Sequence, residues 1–142
     1  MNPGQPFTSL KQSASGGELS RLMLALKVVF HSKEDTQTLI FDEIDTGVSG
    51  KVAFKMGEKM HVLSKQYQVL CITHLASVAA WADTHYRVVK EVVGQESQTK
   101  VESLNAQQTI DELAMMTSGQ ISSRSQNAAL ELKERIQEIL HG

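Results

Sequence analysis

The stretch from Thr38 to Thr73 constrains the fold most. "TLIFDE" reads as a short apolar strand ending in two acids, and "DTGVSG" as a Gly- and Ser-rich loop. Val52, Met56, Met60 and Leu63 then form a helical stripe over about 50–65, which leads into a second apolar strand, "QVLCIT". Strand, helix and strand in about 35 residues make a βαβ unit, whose strands must run parallel and be joined by a right-handed crossover. Both strands then finish at one sheet edge, the edge at which open α/β sheets hold ligands. Asp42, Glu43 and His74 fall at that edge.

The rest of the chain supplies helices and one exposed strand pair. Leu19, Leu22, Met23, Leu26, Val29 and Phe30 recur at steps of three and four, predicting a helix over about 16–33 with one apolar face. "NPGQPF" before it cannot be helical, and "KEDTQ" ends it. "HYRVVKEV" and "QTKVESL" alternate as a hairpin around "VGQES". "TIDELAMM" predicts a short helix and "SSRSQNAALELKERIQEIL" a longer one, with Ala128, Ala129, Leu132, Ile136 and Ile139 on one face. A length of 142 residues suits one domain with one core.

Composition excludes several functions. No apolar run reaches membrane-spanning length, and the N-terminus has neither a secretory nor a transit pattern, so a cytoplasmic location is expected. The lone Cys71 permits no internal disulfide and no cysteine-based zinc site, and its strand setting predicts burial. The charge of −2, with scattered Lys and Arg, disfavours nucleic-acid binding by this segment alone.

Two neighbouring carboxylates at a strand end repel each other and call for a counter-charge, which a divalent metal supplies. Side chains alternate along a strand, so Asp42 and Glu43 point to different places. Asp42 is suited to hold Mg²⁺, directly or through water, and Glu43 to orient and deprotonate an attacking water. The plainer alternative is a pair of solvated acids at a loop entrance. His74 is either a half-buried strand cap or a hydrogen-bond donor to a terminal phosphate oxygen.

"SASGGELSR" opens the first helix. Ser15 and Glu18 have the S-x-x-E spacing of a capping box, in which each side chain bonds the other residue's backbone N–H. The box leaves Gly16 and Gly17 unexplained, since glycine weakens a helix. Without a Cβ they let an anion approach the free N–H groups, helped by the helix dipole and the Ser15 hydroxyl.

Taken in order, these segments resemble the second half of an ABC-type ATPase nucleotide-binding domain. "SGGEL" is similar to its signature motif, "TLIFDE" to the Walker B strand, "IDTGVSG" to the D-loop and "ITH" to the switch-histidine loop. From "NPGQP" through "ESLNAQQTIDELAMM" the wording further resembles the C-terminal head segment of SMC-related proteins of bacterial recombination and double-strand-break repair. The resemblance implies a partial P-loop NTPase fold: the C-terminal half of an α/β ABC ATPase head over 1–142, with parallel strands, flanking helices, a C-terminal hairpin and a helix. It implies ATP and Mg²⁺ as cofactors. Asp42 would hold the metal, Glu43 polarise the water and His74 contact the γ-phosphate. Ser15, Gly16, Gly17 and Glu18 would meet ATP carried by a second head, with Asp45 at the head-to-head interface. The partners implied are that second head, the N-terminal half of the same head, and DNA through the full-length protein; no membrane partner is implied.

One departure qualifies the resemblance. The phosphate loop G-x-x-x-x-G-K-[ST] is missing, since the one Gly-Lys pair, Gly50-Lys51, is followed by Val52. Long heptad arms are missing as well. The chain is therefore expected to be a piece that begins after a coiled coil and hydrolyses nothing alone. The other classes left open are a non-hydrolytic anion- or nucleotide-binding module and a partner-binding domain.

Overall fold

The computed structural model describes residues 15–30, 38–94 and 96–142. "NPGQPF" and "KEDTQ" lie outside the described residues. The chain divides into two compact units, Met1–Thr73 and His74–Gly142, in place of the single core its length suggested.

In the first unit, α1 (Gly16–Val29) precedes β1 (Thr38–Phe41), α2 (Gly50–Leu63) and β2 (Gln68–Cys71). The strands pair in parallel, Thr38 opposite Gln68 and Phe41 opposite Cys71, as the crossover requires. The ladder runs one step further, because the Ile72 N–H donates to the Phe41 carbonyl at 2.9 Å. Both strands thus deliver their carboxyl ends to one edge. Leu39 and Phe41 are buried whereas Ile40 is 68% exposed, so β1 alternates in burial although every residue after Thr38 is apolar. Cys71, opposite Phe41 on the covered face, is half-buried rather than buried, while Leu70 and Ile72 on the other face are exposed.

Ser49 caps α2, accepting from the Val52 N–H at 3.5 Å, and the helix buries Met56, Met60 and Leu63 of the expected stripe together with Ala53, Phe54 and Gly57. Val52, the fourth stripe residue, is exposed. Helix α1 departs most from expectation. Leu19, Leu22, Met23, Leu26, Val29 and Phe30 are all exposed, and the residues it buries are Gly17 and Leu24. Gly17, Arg21, Leu24 and Val28, spaced four, three and four apart, share the other side. A glycine and an arginine on the packed side hid it from an apolar count.

The second unit contains α3 (Ala76–Ala79), the hairpin β3 (Tyr86–Val93) and β4 (Glu96–Ser103), α4 (Ala106–Ser118) and α5 (Ser123–His141). The hairpin register sets Tyr86 opposite Ser103 and Val93 opposite Glu96, about the turn where Gly94 adopts φ 68°. Arg87 fastens it to α4, with Nη2 bonding Glu102 at 2.8 Å and Nη1 bonding Glu112 at 3.2 Å. Asn105 and Gln108 form the capping box of α4, and Gly119, at φ 73°, ends that helix in the left-handed conformation. Helices α4 and α5 form an αα-hairpin around Leu113, Ala114, Ala129 and Ile136, to which α3 adds Val78 and the following Trp81. Of the α5 face expected from the sequence, Ala129 and Ile136 are buried and Leu132 half-buried, while Ala128 and Ile139 face solvent. Among the described residues no helix is long and apolar enough to cross a membrane.

Lys133 of α5 reaches the C-terminal end of α3, donating to the Ala80 carbonyl at 3.2 Å. Nearby His85 has a buried Nε2 with no hydrogen-bond partner among the described residues. Burial first, and the Lys133 charge second, hold its pKa below the ordinary histidine value, against a smaller opposing effect of its hydrogen bond with the Ala82 backbone. Burial likewise lowers the pKa of Lys133, with Asp83 opposing. The fold therefore favours neutral His85, and the unfolded chain binds more protons in mild acid. The stability contributed is complete above about pH 6.5 and is lost as pH falls from there through the depressed folded value. The melting temperature of the chain should drop more steeply below pH 6.5 than that of His85→Gln, and parallel curves would contradict this assignment.

Candidate functional site

The first helix and the loop after β1 are built against each other. Ser15 is the N-cap of α1: its Oγ accepts from the Glu18 N–H at 3.3 Å, and the Glu18 carboxylate accepts from the Ser15 N–H at 3.0 Å. Glu18 thus turns back onto its cap, as the S-x-x-E spacing predicts. Gly16 is exposed and Gly17 buried.

The structure gives Gly17 a reason that the sequence reading did not. A Cβ at Gly17 would lie 2.7 Å from the Glu43 carbonyl oxygen, 3.0 Å from Arg21 Nη1 and 3.4 Å from Thr46 Cβ. A Cβ at Gly16 would lie 2.7 Å from Glu43 Oε2. The first obstacle is backbone and the second the free end of a flexible side chain, so the two positions differ in what they tolerate. Room for an anion was the expected reason for both glycines. At Gly17 the space is taken by the loop of its own chain.

That loop has unusual backbone geometry. Glu43 adopts φ 55°, the left-handed region that non-glycine residues rarely occupy. The Thr46 N–H returns to the Glu43 carbonyl at 3.2 Å and the Val48 N–H to the Asp45 carbonyl at 3.4 Å. Two side chains of α1 bind further carbonyls. Ser20 Oγ donates to Asp42 O at 2.8 Å, while Arg21 Nη1 donates to Ile44 O at 3.1 Å and to Thr46 O at 3.0 Å.

The acids separate by environment. Asp42 and Glu43 are exposed, whereas Asp45 is 2% exposed and its carboxylate accepts a short hydrogen bond from the Thr73 hydroxyl. Asp45 therefore ties the loop to the end of β2, with its carboxylate turned into its own unit rather than outward. Beside it, burial first, and the charges of Asp45 and Asp42 next, push the Cys71 thiol up to about 12.

The first unit thus brings together Ser15, Gly16, Gly17, Glu18, Asp42, Glu43 and Asp45. His74 is exposed and opens the second unit, directly after Thr73 in the chain. Among the described residues no three His, Cys, Asp or Glu side chains converge as a metal-binding cluster. Asp42 alone suits Mg²⁺ in one manner: that ion keeps several waters and accepts one or two carboxylates beside nucleotide phosphates. Sequence reasoning missed Ser20, Arg21 and Thr73. For Arg21 the usable signal was its place one turn after Gly17, on the side of α1 that packs.

No protein-family model matches the chain. It is similar to DNA repair protein RecN of Bacillus subtilis, 45% identical over 139 residues, which are 97% of this chain and 24% of that protein. RecN of Halalkalibacterium halodurans is 48% identical over 118 residues, 83% of this chain and 21% of the relative. RecN of Treponema pallidum is 46% identical over 122 residues, 86% of this chain and 21% of the relative. The chain therefore spans about a quarter or less of the length of these curated relatives. A solved structure from work on ATP-driven dimerization and DNA-stimulated activation of SMC ATPases matches 83% of this chain and 70% of its own, with a TM-score of 0.53 at 22% identity. That likeness fixes the fold as the α/β fold of an SMC ATPase.

Two consequences can be measured. Gly17→Ala should lower unfolding stability by about 1–3 kcal/mol, the usual cost of overpacking. Gly16→Ala should cost far less, because only a carboxylate tip need move; equal losses in denaturant titrations would refute the close approach at Gly17. Cys71 should react with iodoacetamide much more slowly in the folded chain at pH 8 than in denaturant, since so little thiolate is present, and equal rates would contradict its environment.

Proposed function

We propose, from a likeness to RecN DNA repair proteins that extends over 97% of this chain, that it forms the signature-helix half of an ATP-hydrolysing head. The observation that carries the reading is the packing of the "SGGEL" helix start onto the left-handed Glu43 loop. Ser15, Gly16 and Gly17 belong to the same compact unit as Asp42 and Glu43, which supports the reading. The full-length protein would hydrolyse ATP in DNA double-strand-break repair and recombination, with two heads clamped around nucleotide. Its location would be the bacterial cytoplasm, on the nucleoid.

Each residue has a task on this reading. Asp42, at the end of β1, would hold Mg²⁺. The metal, when bound with ATP, neutralises developing phosphate charge. Glu43 would orient an attacking water and accept its proton, and the fixed backbone at φ 55° limits where its carboxylate can swing. His74 would donate to a terminal phosphate oxygen. Ser15 and Gly16, at the start of the helix and at the positive end of its dipole, would meet nucleotide held by the second head. The glycine at 17 serves the fit to the Glu43 loop.

Exposed apolar surface supports membership of a larger head. Ile40 and Ile72 are 68% and 61% exposed, and the α1 stripe is exposed as well. Parallel sheets are normally covered on both faces. A phosphate-loop half, missing from this sequence, would provide such cover and the lysine that grips the β- and γ-phosphates.

In the full-length protein Glu43→Gln should reduce phosphate release by about two orders of magnitude or more, the usual worth of a general base, while ATP still binds. The chain alone should release no phosphate, and a phosphate-loop half added in trans should restore turnover. Full turnover by the chain alone, or by Glu43→Gln, would sink the reading.

A further inference from the structure

We infer that Arg21, helped by Ser20, is a positioning residue that holds Glu43 in its left-handed conformation and so sets where the Glu43 carboxylate points. The inference rests on the role given to Glu43 above, but it is carried by separate observations. A non-glycine residue at φ 55° persists only where its surroundings over-determine it. The loop's own hydrogen bonds, Thr46 N–H to Glu43 O at 3.2 Å and Val48 N–H to Asp45 O at 3.4 Å, are long. What encloses the left-handed residue is α1.

The first two turns of that helix engage a run of loop carbonyls. Asp42 O receives the Ser20 hydroxyl at 2.8 Å. Glu43 O lies against Gly17, where no Cβ intervenes. Ile44 O and Thr46 O both receive Arg21 Nη1, at 3.1 and 3.0 Å. One guanidinium nitrogen carries two hydrogens and can serve two carbonyls at once, which fixes residues 44 and 46 relative to each other and thereby the rotation of the backbone at 43. A charge-assisted donor in a half-buried position is also stronger than a neutral one. Lysine would be a poorer substitute, because its ammonium lacks the planar fork that presents two hydrogens at fixed angles. Arg21 has no need to touch nucleotide or water to affect hydrolysis, since the reacting group is on the loop that it holds.

The test has a structural arm and a kinetic arm, both in the full-length protein. By hydrogen exchange, Arg21→Gln should raise the exchange of the Thr46 amide by about tenfold or more, the ratio expected for loss of a charge-assisted bond, with α2 amides unchanged. Arg21→Lys should fall between, and Ser20→Ala should give a smaller rise. In turnover, Arg21→Gln should lower kcat by about tenfold or more with KM for ATP within about twofold, and Arg21→Lys should recover part of the loss. Unchanged Thr46 exchange in Arg21→Gln overturns the clamp. Unchanged kcat in Arg21→Gln, with Glu43→Gln inactive, overturns the positioning role while the ATPase reading stands. Turnover indifferent to Glu43→Gln overturns that reading and the kinetic part of this inference with it, leaving the exchange result to report on the clamp alone.

Discussion

The close approach of the α1 start to the Glu43 carbonyl is the constraint on which the first unit is arranged. With a Cβ at Gly17 only 2.7 Å from that oxygen, no other residue fits without moving either the helix or the loop. The consequences run outward from there. Because the helix can come so near, Ser20 and Arg21, one turn on, reach the carbonyls of Asp42, Ile44 and Thr46. Because those carbonyls are held, Glu43 can occupy a conformation that a free loop would leave. On the opposite side Thr73 grips the buried Asp45 carboxylate, so the loop is tied both to the helix before it and to the strand after it.

The parts of this arrangement that were legible in the sequence are those set by near neighbours. The βαβ unit follows from apolar periodicity and loop composition, and the parallel pairing of Phe41 with Cys71 follows from the unit. The Ser15–Glu18 capping box, three residues apart, was also readable, as was the hairpin about Gly94. The side of α1 that packs was not. Six large apolar residues advertise one face, but the helix turns Gly17 and Leu24 inward. Hydrophobicity identifies which face can be buried; it does not say which face meets the nearest backbone when that contact is made through a glycine and an arginine.

Pairings distant in sequence were illegible for a related reason. Thr73 and Asp45 are 28 residues apart, and Arg21 and Thr46 are 25 apart. Nothing in the local pattern of either partner names the other: a guanidinium that bonds a backbone carbonyl uses a group every residue possesses, and a threonine hydroxyl can serve any carboxylate that the fold brings near. Burial along the strands was legible only in part. "TLIF" and "QVLC" read as apolar strands, with burial expected at Cys71, yet both alternate, since a two-stranded sheet with α2 packed on it leaves its other face open among the described residues.

The open face and the exposed acids point the same way. Asp42 and Glu43 sit adjacent in solvent, and the one arginine near their loop is already committed to the carbonyls of Ile44 and Thr46. On the proposed reading a nucleotide-bound metal supplies positive charge to these carboxylates. Ile40, Ile72 and the α1 stripe are exposed, and on the same reading a phosphate-loop half would cover them. On that reading the unit completes the backbone scaffold of the Glu43 loop internally, while charge and apolar cover would be brought by the other half. The Glu43 loop, bonded to α1 and to Thr73 within its own unit, would meet that half already formed.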